Sequence, residues 1–144
     1  MQTINHAQTS VTTSRTRLVV TYNWLTVVIA LAVLLQAVLA GQGLFNSKPG
    51  LIDGHGTVGD ILVVVTIFTA GLTFYLRKLG LLSTGTVIRN LVTVVVMVVQ
   101  LMIGYATRND SIAIAWHIPN GVLLMGLTTA NMVLAWFTPR DSAS

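Results

Sequence analysis

Four long apolar stretches follow one another along the chain, and short polar segments separate them. They cover residues 18–41, 55–76, 86–107 and 116–137. Each has the roughly 20 residues that a helix needs to cross about 30 Å of hydrocarbon. Because lipid cannot hydrogen-bond a bare backbone, spans of this length without barrel-type alternation are expected to be helices. The pattern predicts an all-α fold, an integral membrane four-helix bundle over residues 18–137.

The two ends of the chain are polar and short of apolar side chains. Residues 1–17 are rich in threonine, serine and glutamine and carry two arginines, and residues 138–144 are similarly polar. Such segments contain too little apolar surface to order themselves. We expect both to be flexible cytoplasmic tails.

The composition places the chain in a lipid bilayer. Hydrophobic residues make up 53% of the 144 residues and charged residues only 8%, whereas a soluble domain carries about 25% charged residues. The predicted location is the cell inner (cytoplasmic) membrane, crossed several times.

The basic residues predict the orientation. Six of the eight lie at the chain ends or around the connection between the second and third spans, namely Arg15, Arg17, Arg77, Lys78, Arg89 and Arg140. Only Lys48 and Arg108 lie in the other two loops. The positive-inside rule therefore places the N and C termini in the cytoplasm. The net charge of +4 reflects this orientation, and no basic patch with interleaved aromatic residues indicates a nucleic-acid partner.

Two histidines stand at matching positions. His55 opens the second span and His117 the fourth, and both follow a loop on the predicted outer side. Aligned without gaps, "HGTVGDILVVVT" and "HIPNGVLLMGLT" share the histidine, a glycine four residues later and a threonine eleven residues later. Gln36 and Gln100 correspond more weakly in the odd spans. The correspondence favours a tandem repeat of two helical hairpins.

A histidine followed by a glycine four residues later suits a flat cofactor. Residues i and i+4 lie on one helix face, so Gly59 lies beneath His55 and Gly121 beneath His117. The missing side chains leave room for a wide ring, and haem iron takes imidazole axial ligands. Two open alternatives are that the histidines lie in the headgroup region and that the glycines permit close helix packing.

Other polar residues surround this predicted site. Gln36 and Gln100 are candidates to donate to a haem propionate or to orient an imidazole, and interhelical hydrogen bonding is an equal alternative. Lys48 and Arg108 are candidate propionate partners or solvated loop charges. Asp60 is an acid inside a membrane span and therefore a candidate functional residue. It is rotated by roughly 140° from His55, so we expect it to reach the first or third helix or a water-filled pocket.

The motifs resemble one four-helix half of the heme A synthase family. Across residues 18–137 the chain is still more similar to a family of small bacterial four-helix membrane proteins with paired histidine motifs. The residues that carry the likeness read "AGQGLF" at 40–45, "HGTVG" at 55–59 and "WHIPNG" at 116–121. The resemblance implies that His55 and His117 are the axial ligands of one haem b near the outer face.

Departures from heme A synthases weigh against catalysis. Those enzymes carry a glutamate three residues before the first histidine and often an arginine just after it, where this chain has Ile52 and Gly56. The cysteine pair of many members is also missing, because the chain has no cysteine. The resemblance therefore implies a haem cradle and favours a protein that is not an enzyme.

Three functions remain open at this point. The first is a membrane cytochrome b for electron transfer or haem holding, with a redox partner. The second is a haem-modifying or quinol-type oxidoreductase, for which Asp60 is the intramembrane acid. The third is an accessory structural subunit of a respiratory or photosynthetic complex, in which the histidines bind a chlorophyll-type pigment or only hydrogen-bond. Homo-oligomerisation is compatible with all three.

Overall fold

Four helices form the entire fold of the described residues. The computed structural model describes the backbone of residues 3–137 and the side chains of residues 16–137. The helices are α1 (Thr3–Phe45), α2 (Pro49–Lys78), α3 (Thr84–Ala106) and α4 (Ser111–Phe137), and no strand occurs within these residues. Each helix contains a segment long and apolar enough to cross a membrane. The predicted all-α, four-helix membrane fold is confirmed.

The helices pack as a closed ring. α1 contacts α2, α2 contacts α3, α3 contacts α4, and α4 returns to contact α1. Between residues 3 and 137 the diagonal pairs, α1 with α3 and α2 with α4, make no backbone contact. Short connections make successive helices antiparallel. The loops at 46–48 and 107–110 therefore share one end, which we call the histidine end, and the turn at 79–83 lies at the opposite end.

All four helices begin earlier than hydropathy predicted, α3 by only two residues. Pro49 occupies the first turn of α2, where its missing N–H costs nothing. Asp110 precedes α4 and accepts a hydrogen bond from the backbone N–H of Ile112 at 2.8 Å, as an N-cap does. α1 begins at Thr3, inside the segment 1–17 that was predicted to be a flexible tail; that segment contains no proline or glycine to end the helix. The predicted tail at 138–144 lies outside the described residues.

Two apolar clusters fill the interior. The larger, in the middle of the bundle, contains Ile29, Val33, Leu62, Met97 and Leu124. The second lies at the opposite end and contains Val19, Tyr22, Leu76 and Ala135. The outward faces carry large apolar side chains, for example Leu31 at 60% and Val64 at 67% exposure. Such faces suit contact with lipid tails.

Buried polar groups join the helices near the opposite end. The Asn90 amide donates to the Tyr22 hydroxyl at 3.2 Å, and the Asn131 amide donates to the Thr93 hydroxyl at 2.9 Å. Most buried threonines return their hydroxyl to a carbonyl of their own helix, as Thr66 does to Leu62 at 2.7 Å. Most buried threonine hydroxyls are therefore satisfied within their own helix, whereas the buried Nε of Arg89 in this half has no partner among the described residues.

Candidate functional site

Two histidines from diagonal helices meet at the histidine end. The ring centroids of His55 on α2 and His117 on α4 lie 6.0 Å apart, with an angle of 81° between the ring planes. Both residues are partly buried. Because the backbones of α2 and α4 do not touch, the two side chains bridge the centre of the ring of helices.

The ring of His55 is oriented by the backbone of α1. Its Nδ1 atom lies 3.1 Å from the carbonyl oxygen of Gln36. A carbonyl oxygen can only accept, so Nδ1 carries the proton and donates. In the neutral ring the lone pair is then on Nε2, and that atom has no hydrogen bond to any described residue. This is the tautomer that a metal-ligating histidine commonly adopts.

The ring of His117 is held by the amide of Gln100, which Asn120 in turn orients. The Asn120 Nδ2 group donates to the carbonyl of Val96 at 3.3 Å and to Oε1 of Gln100 at 2.7 Å. The Gln100 oxygen is therefore directed at Asn120, and its Nε2 group donates to Nε2 of His117 at 3.2 Å. The proton of the neutral His117 ring is then on Nδ1.

Two buried polar atoms of this cluster have no partner among the described residues. They are Oε1 of Gln36 and Nδ1 of His117. Buried polar groups without a hydrogen bond are uncommon in folded proteins, and each calls for a water partner, an ion or a functional role. The unpaired atoms come from α1 and α4, so the unsatisfied polarity lies at the same end as the two rings.

A glutamine side chain from a neighbouring helix packs against each of the two glycines predicted to line the cofactor site. A Cβ atom placed on Gly59 would lie 3.1 Å from Nε2 of Gln36, and one placed on Gly121 would lie 3.1 Å from Nε2 of Gln100. The two hairpins thus make the same glutamine–glycine contact. The space that the sequence analysis assigned to a flat cofactor is filled by the two amides in this structure.

The other predicted residues lie away from the rings. Asp60 accepts hydrogen bonds from the hydroxyl of Tyr105 on α3, at 2.8 Å to Oδ1 and 3.1 Å to Oδ2, and both residues are exposed. Arg108 is exposed, with its guanidinium carbon 4.8 Å from the Tyr105 ring centroid. Lys48 is exposed at the N-cap of α2. Asp60 therefore reaches α3, one of the predicted outcomes, on the outer surface of the bundle.

Sequence reasoning missed two residues that position His117. Asn120 lies one turn after His117 on α4, and that spacing on one helix face was the available signal. Gly104 lies on α3, where an added Cβ would be 2.9 Å from Cε1 of His117 and 3.4 Å from Nδ1. Nothing in the sequence of α3 indicates that α4 places an imidazole there.

The side chains of the described residues do not form a conventional metal site. No group of three or more histidine, cysteine, aspartate or glutamate residues comes together within the part of the chain whose side chains are defined. His55 and His117 form a pair, and a metal with only these protein ligands must receive its remaining ligands from elsewhere.

Comparison of the chain with protein-family models, with curated proteins and with solved structures found no match.

Proposed function

We propose that this protein is a membrane-embedded b-type haem-binding protein for electron transfer or haem holding. The observation that carries the proposal is the meeting of His55 and His117 across the diagonal, with ring centroids 6.0 Å apart. An imidazole nitrogen lies about 2 Å from a metal that it coordinates, with the ring centre roughly 1 Å further, so one metal between two rings separates the centroids by about 6 Å. The observed separation supports His55 and His117 as the two residues that would hold one iron.

The hydrogen bond of His55 also supports ligation. A ligating histidine usually donates its second N–H to a carbonyl or carboxylate, which fixes the tautomer and orients the lone pair. The Gln36 carbonyl supplies that acceptor at 3.1 Å. His55 is thus prepared to coordinate through Nε2 without any change in its own hydrogen bonding.

The number of protein ligands favours a macrocycle over a bare ion. Zinc sites usually take three or four protein ligands, and no such group occurs among the described side chains. A haem would need only two ligands from the protein, and His55 and His117 would supply them. Its iron would provide one-electron redox chemistry within the bilayer.

Haem loading requires local rearrangement of the two glutamines. The amides of Gln36 and Gln100 lie against Gly59 and Gly121, in the space where a macrocycle edge would pass. Glutamine side chains turn aside more easily than backbone, and the glycines would then line the cofactor groove. Lys48 and Arg108, both exposed, are proposed as partners of the propionates at the same end.

The surroundings of Asp60 and Ile52 favour a role other than catalysis. The Asp60 carboxylate is engaged by Tyr105 on the outer surface, whereas the two rings meet in the bundle centre. Ile52 occupies the position of the heme A synthase glutamate and packs against α1, where an added Cβ on Gly43 would lie 2.6 Å from its Cδ1 atom. Both observations support a haem carrier over the oxidoreductase alternative, and no specific contact favours the accessory-subunit alternative.

The test is the haem content of purified protein. Wild-type protein in mild detergent is expected to show reduced-minus-oxidised b-type bands and one haem per chain in a pyridine haemochrome assay. His55→Ala and His117→Ala are each expected to lose most of the haem. His6→Ala is the matched control, because His6 precedes all four predicted spans.

Circular dichroism of each variant distinguishes loss of a haem ligand from loss of the helical fold. Loss of haem in folded His55→Ala and His117→Ala, with haem kept in His6→Ala, supports bis-histidine ligation. Normal haem in either folded single variant rules it out. A wild-type protein that stays colourless after addition of haem overturns the whole proposal.

A further inference from the structure

We infer that the turn between α2 and α3 binds the phosphate group of an anionic phospholipid, with Arg89 of α3 as the main contact and Arg77 of α2 beside it. The inference is independent of the haem proposal, because this turn lies at the opposite end of the bundle from the two histidines. The contacts of the two arginines, the distribution of charge and the position of the turn at a membrane surface support it.

Arg89 turns its guanidinium toward the start of α3, and part of that group is shielded from solvent. Nη2 donates to Oγ1 of Thr86 at 3.3 Å, and Nε is buried without a hydrogen bond to any described residue. Nη1 lies 3.7 Å from a Cβ atom placed on Gly85 and is not among the buried unpaired atoms. A cation that has lost part of its hydration attracts an anion strongly. Nη1 is thus an open donor on a poorly hydrated positive charge.

A second guanidinium lies against the same turn of α3. Nε of Arg77 donates to Oγ1 of Thr84 at 3.1 Å, and Arg77 is exposed. Thr84, Gly85 and Thr86 are consecutive, so one three-residue segment holds two arginines that come from different helices. Gly85, in the middle of that segment, has no side chain to cover the surface. Guanidinium groups fixed in this way suit the oxygens of a phosphate.

The charge at this end of the bundle is not balanced by carboxylates of the described residues. The aspartates among residues 16–137 are Asp53, Asp60 and Asp110, and all three lie in the half that contains the histidines. The basic residues at the opposite end are Arg17, Arg77, Lys78 and Arg89. The one further acid of the sequence, Asp141, can offset only one of these four charges. An external anion is therefore needed to neutralise this end.

The position of the turn favours a phospholipid as the source of that anion. The turn at 79–83 joins two membrane-spanning helices, so it lies at a membrane surface in either orientation of the chain. Phospholipid headgroups occupy the same depth, and basic residues there attract anionic lipids. Exposed apolar side chains lie within three turns of it on both helices, for example Phe74, Ile88 and Val92. A phospholipid therefore matches both the charge and the apolar surface, whereas a free phosphate ion matches the charge alone.

The variants separate a defined site from a diffuse positive surface. Arg89→Gln removes the charge at the proposed site, and Arg89→Lys keeps the charge but loses the planar fork of donors. Arg17→Gln is the matched control, because Arg17 is an exposed arginine at the same end, on α1. Its guanidinium forms no hydrogen bond to residues 79–86 of the described chain.

The measurement is native mass spectrometry of the full-length protein in detergent, titrated with phosphatidylglycerol or with phosphatidylcholine of the same acyl chains. Wild-type protein should bind the first phosphatidylglycerol molecule about tenfold more tightly than phosphatidylcholine. Arg89→Gln should weaken phosphatidylglycerol binding about tenfold or more, as expected for hydrogen bonds to a charged group. Arg89→Lys should lie between Arg89→Gln and the wild type, and Arg17→Gln should remain within about twofold of the wild type.

A competition experiment distinguishes the two sources of phosphate. Inorganic phosphate at the same concentration as phosphatidylglycerol should not displace the lipid, because the ion makes no contact with the apolar faces. Displacement at equal concentration would assign the site to free phosphate and overturn the lipid inference.

The remaining outcomes are equally decisive once circular dichroism has shown that each variant is folded. Wild-type protein that does not prefer phosphatidylglycerol, or folded Arg89→Gln and Arg89→Lys that both bind it like the wild type, would overturn the inference. Equal losses in Arg17→Gln and Arg89→Gln would indicate a diffuse charged surface and contradict a defined site. None of these measurements requires haem, so their failure leaves the haem proposal untouched.

Discussion

Gly104 on α3 lies directly against the imidazole of His117 on α4. A Cβ atom at Gly104 would be 2.9 Å from Cε1 of the ring, closer than side chains normally approach. The ring cannot simply turn away, because Gln100 holds its other edge at 3.2 Å. The absence of a side chain at Gly104 therefore sets the position of His117.

Gly104→Ala is expected to displace the His117 ring and to weaken haem binding. Changes to the surroundings that orient a ligating histidine typically lower metal affinity by about 10–100-fold. The measurement is a haem titration of haem-free protein followed by absorbance. Gly71→Ala is the control, because an added Cβ at Gly71 meets nothing within 4 Å; equal haem affinity in the two variants would contradict this role of Gly104.

Gly121→Ala is expected to destabilise the bundle more than Gly59→Ala. Both added methyl groups would press on a glutamine amide 3.1 Å away. The Gln100 amide is bonded to Asn120 and His117. Oε1 of Gln36 has no partner among residues 16–137, so that side chain is freer to move. We expect a loss of about 1–3 kcal/mol for Gly121→Ala and less for Gly59→Ala, measured by unfolding in detergent. The reverse order would show that Gln36 is the more constrained amide.

Tyr22→Phe is expected to lower stability at the opposite end. The Tyr22 ring is 1% exposed, and its hydroxyl accepts from the Asn90 amide at 3.2 Å. Interhelical hydrogen bonds in membranes contribute about 0.6 kcal/mol on average and at most about 1.7 kcal/mol, so the loss should fall in that range. Tyr75→Phe is the control, because Tyr75 is 52% exposed. Unfolding midpoints that coincide for the two variants would argue against a stabilising Tyr22–Asn90 bond.

The cysteine-free sequence permits a direct test of orientation. Single cysteines at Asn109 and Ser142 place one thiol in the α3–α4 loop and one in the C-terminal tail. If the basic residues set the topology, a membrane-impermeant maleimide labels Asn109→Cys in intact cells and Ser142→Cys only after the membrane is opened. Labelling of Ser142→Cys but not Asn109→Cys in intact cells would contradict the predicted topology and indicate the opposite orientation.

Hydropathy was sufficient to predict the helices because each apolar stretch has the length of a membrane span. Helix starts were predicted less well, because Pro49 and Asp110 lie in polar segments that a hydropathy argument leaves outside the helix. Their local chemistry, a proline in the first turn and a capping carboxylate, was a readable signal.

The glycines show where single-sequence reasoning stops. The i+4 spacing predicts that Gly59 and Gly121 lie on the faces of His55 and His117, because that relation lies within one helix. Which side chain of another helix fills the space beside each glycine depends on tertiary packing. In the structure these side chains are Gln36 and Gln100. The role of Gly104 could not be predicted for the same reason, because the residue that it contacts, His117, lies on a different helix.

The contact between α1 and α4 has a consequence for the order of the two hairpins along the sequence. The ring centroids of Trp24 on α1 and Trp136 on α4 lie 5.5 Å apart at the opposite end. The first and last spans are therefore neighbours in the closed ring of helices. A circular permutant that begins at Thr84, joins the old ends through a flexible linker and finishes at Lys78 would keep all four helix contacts. The helix contacts therefore do not require the His55 hairpin to precede the His117 hairpin along the chain.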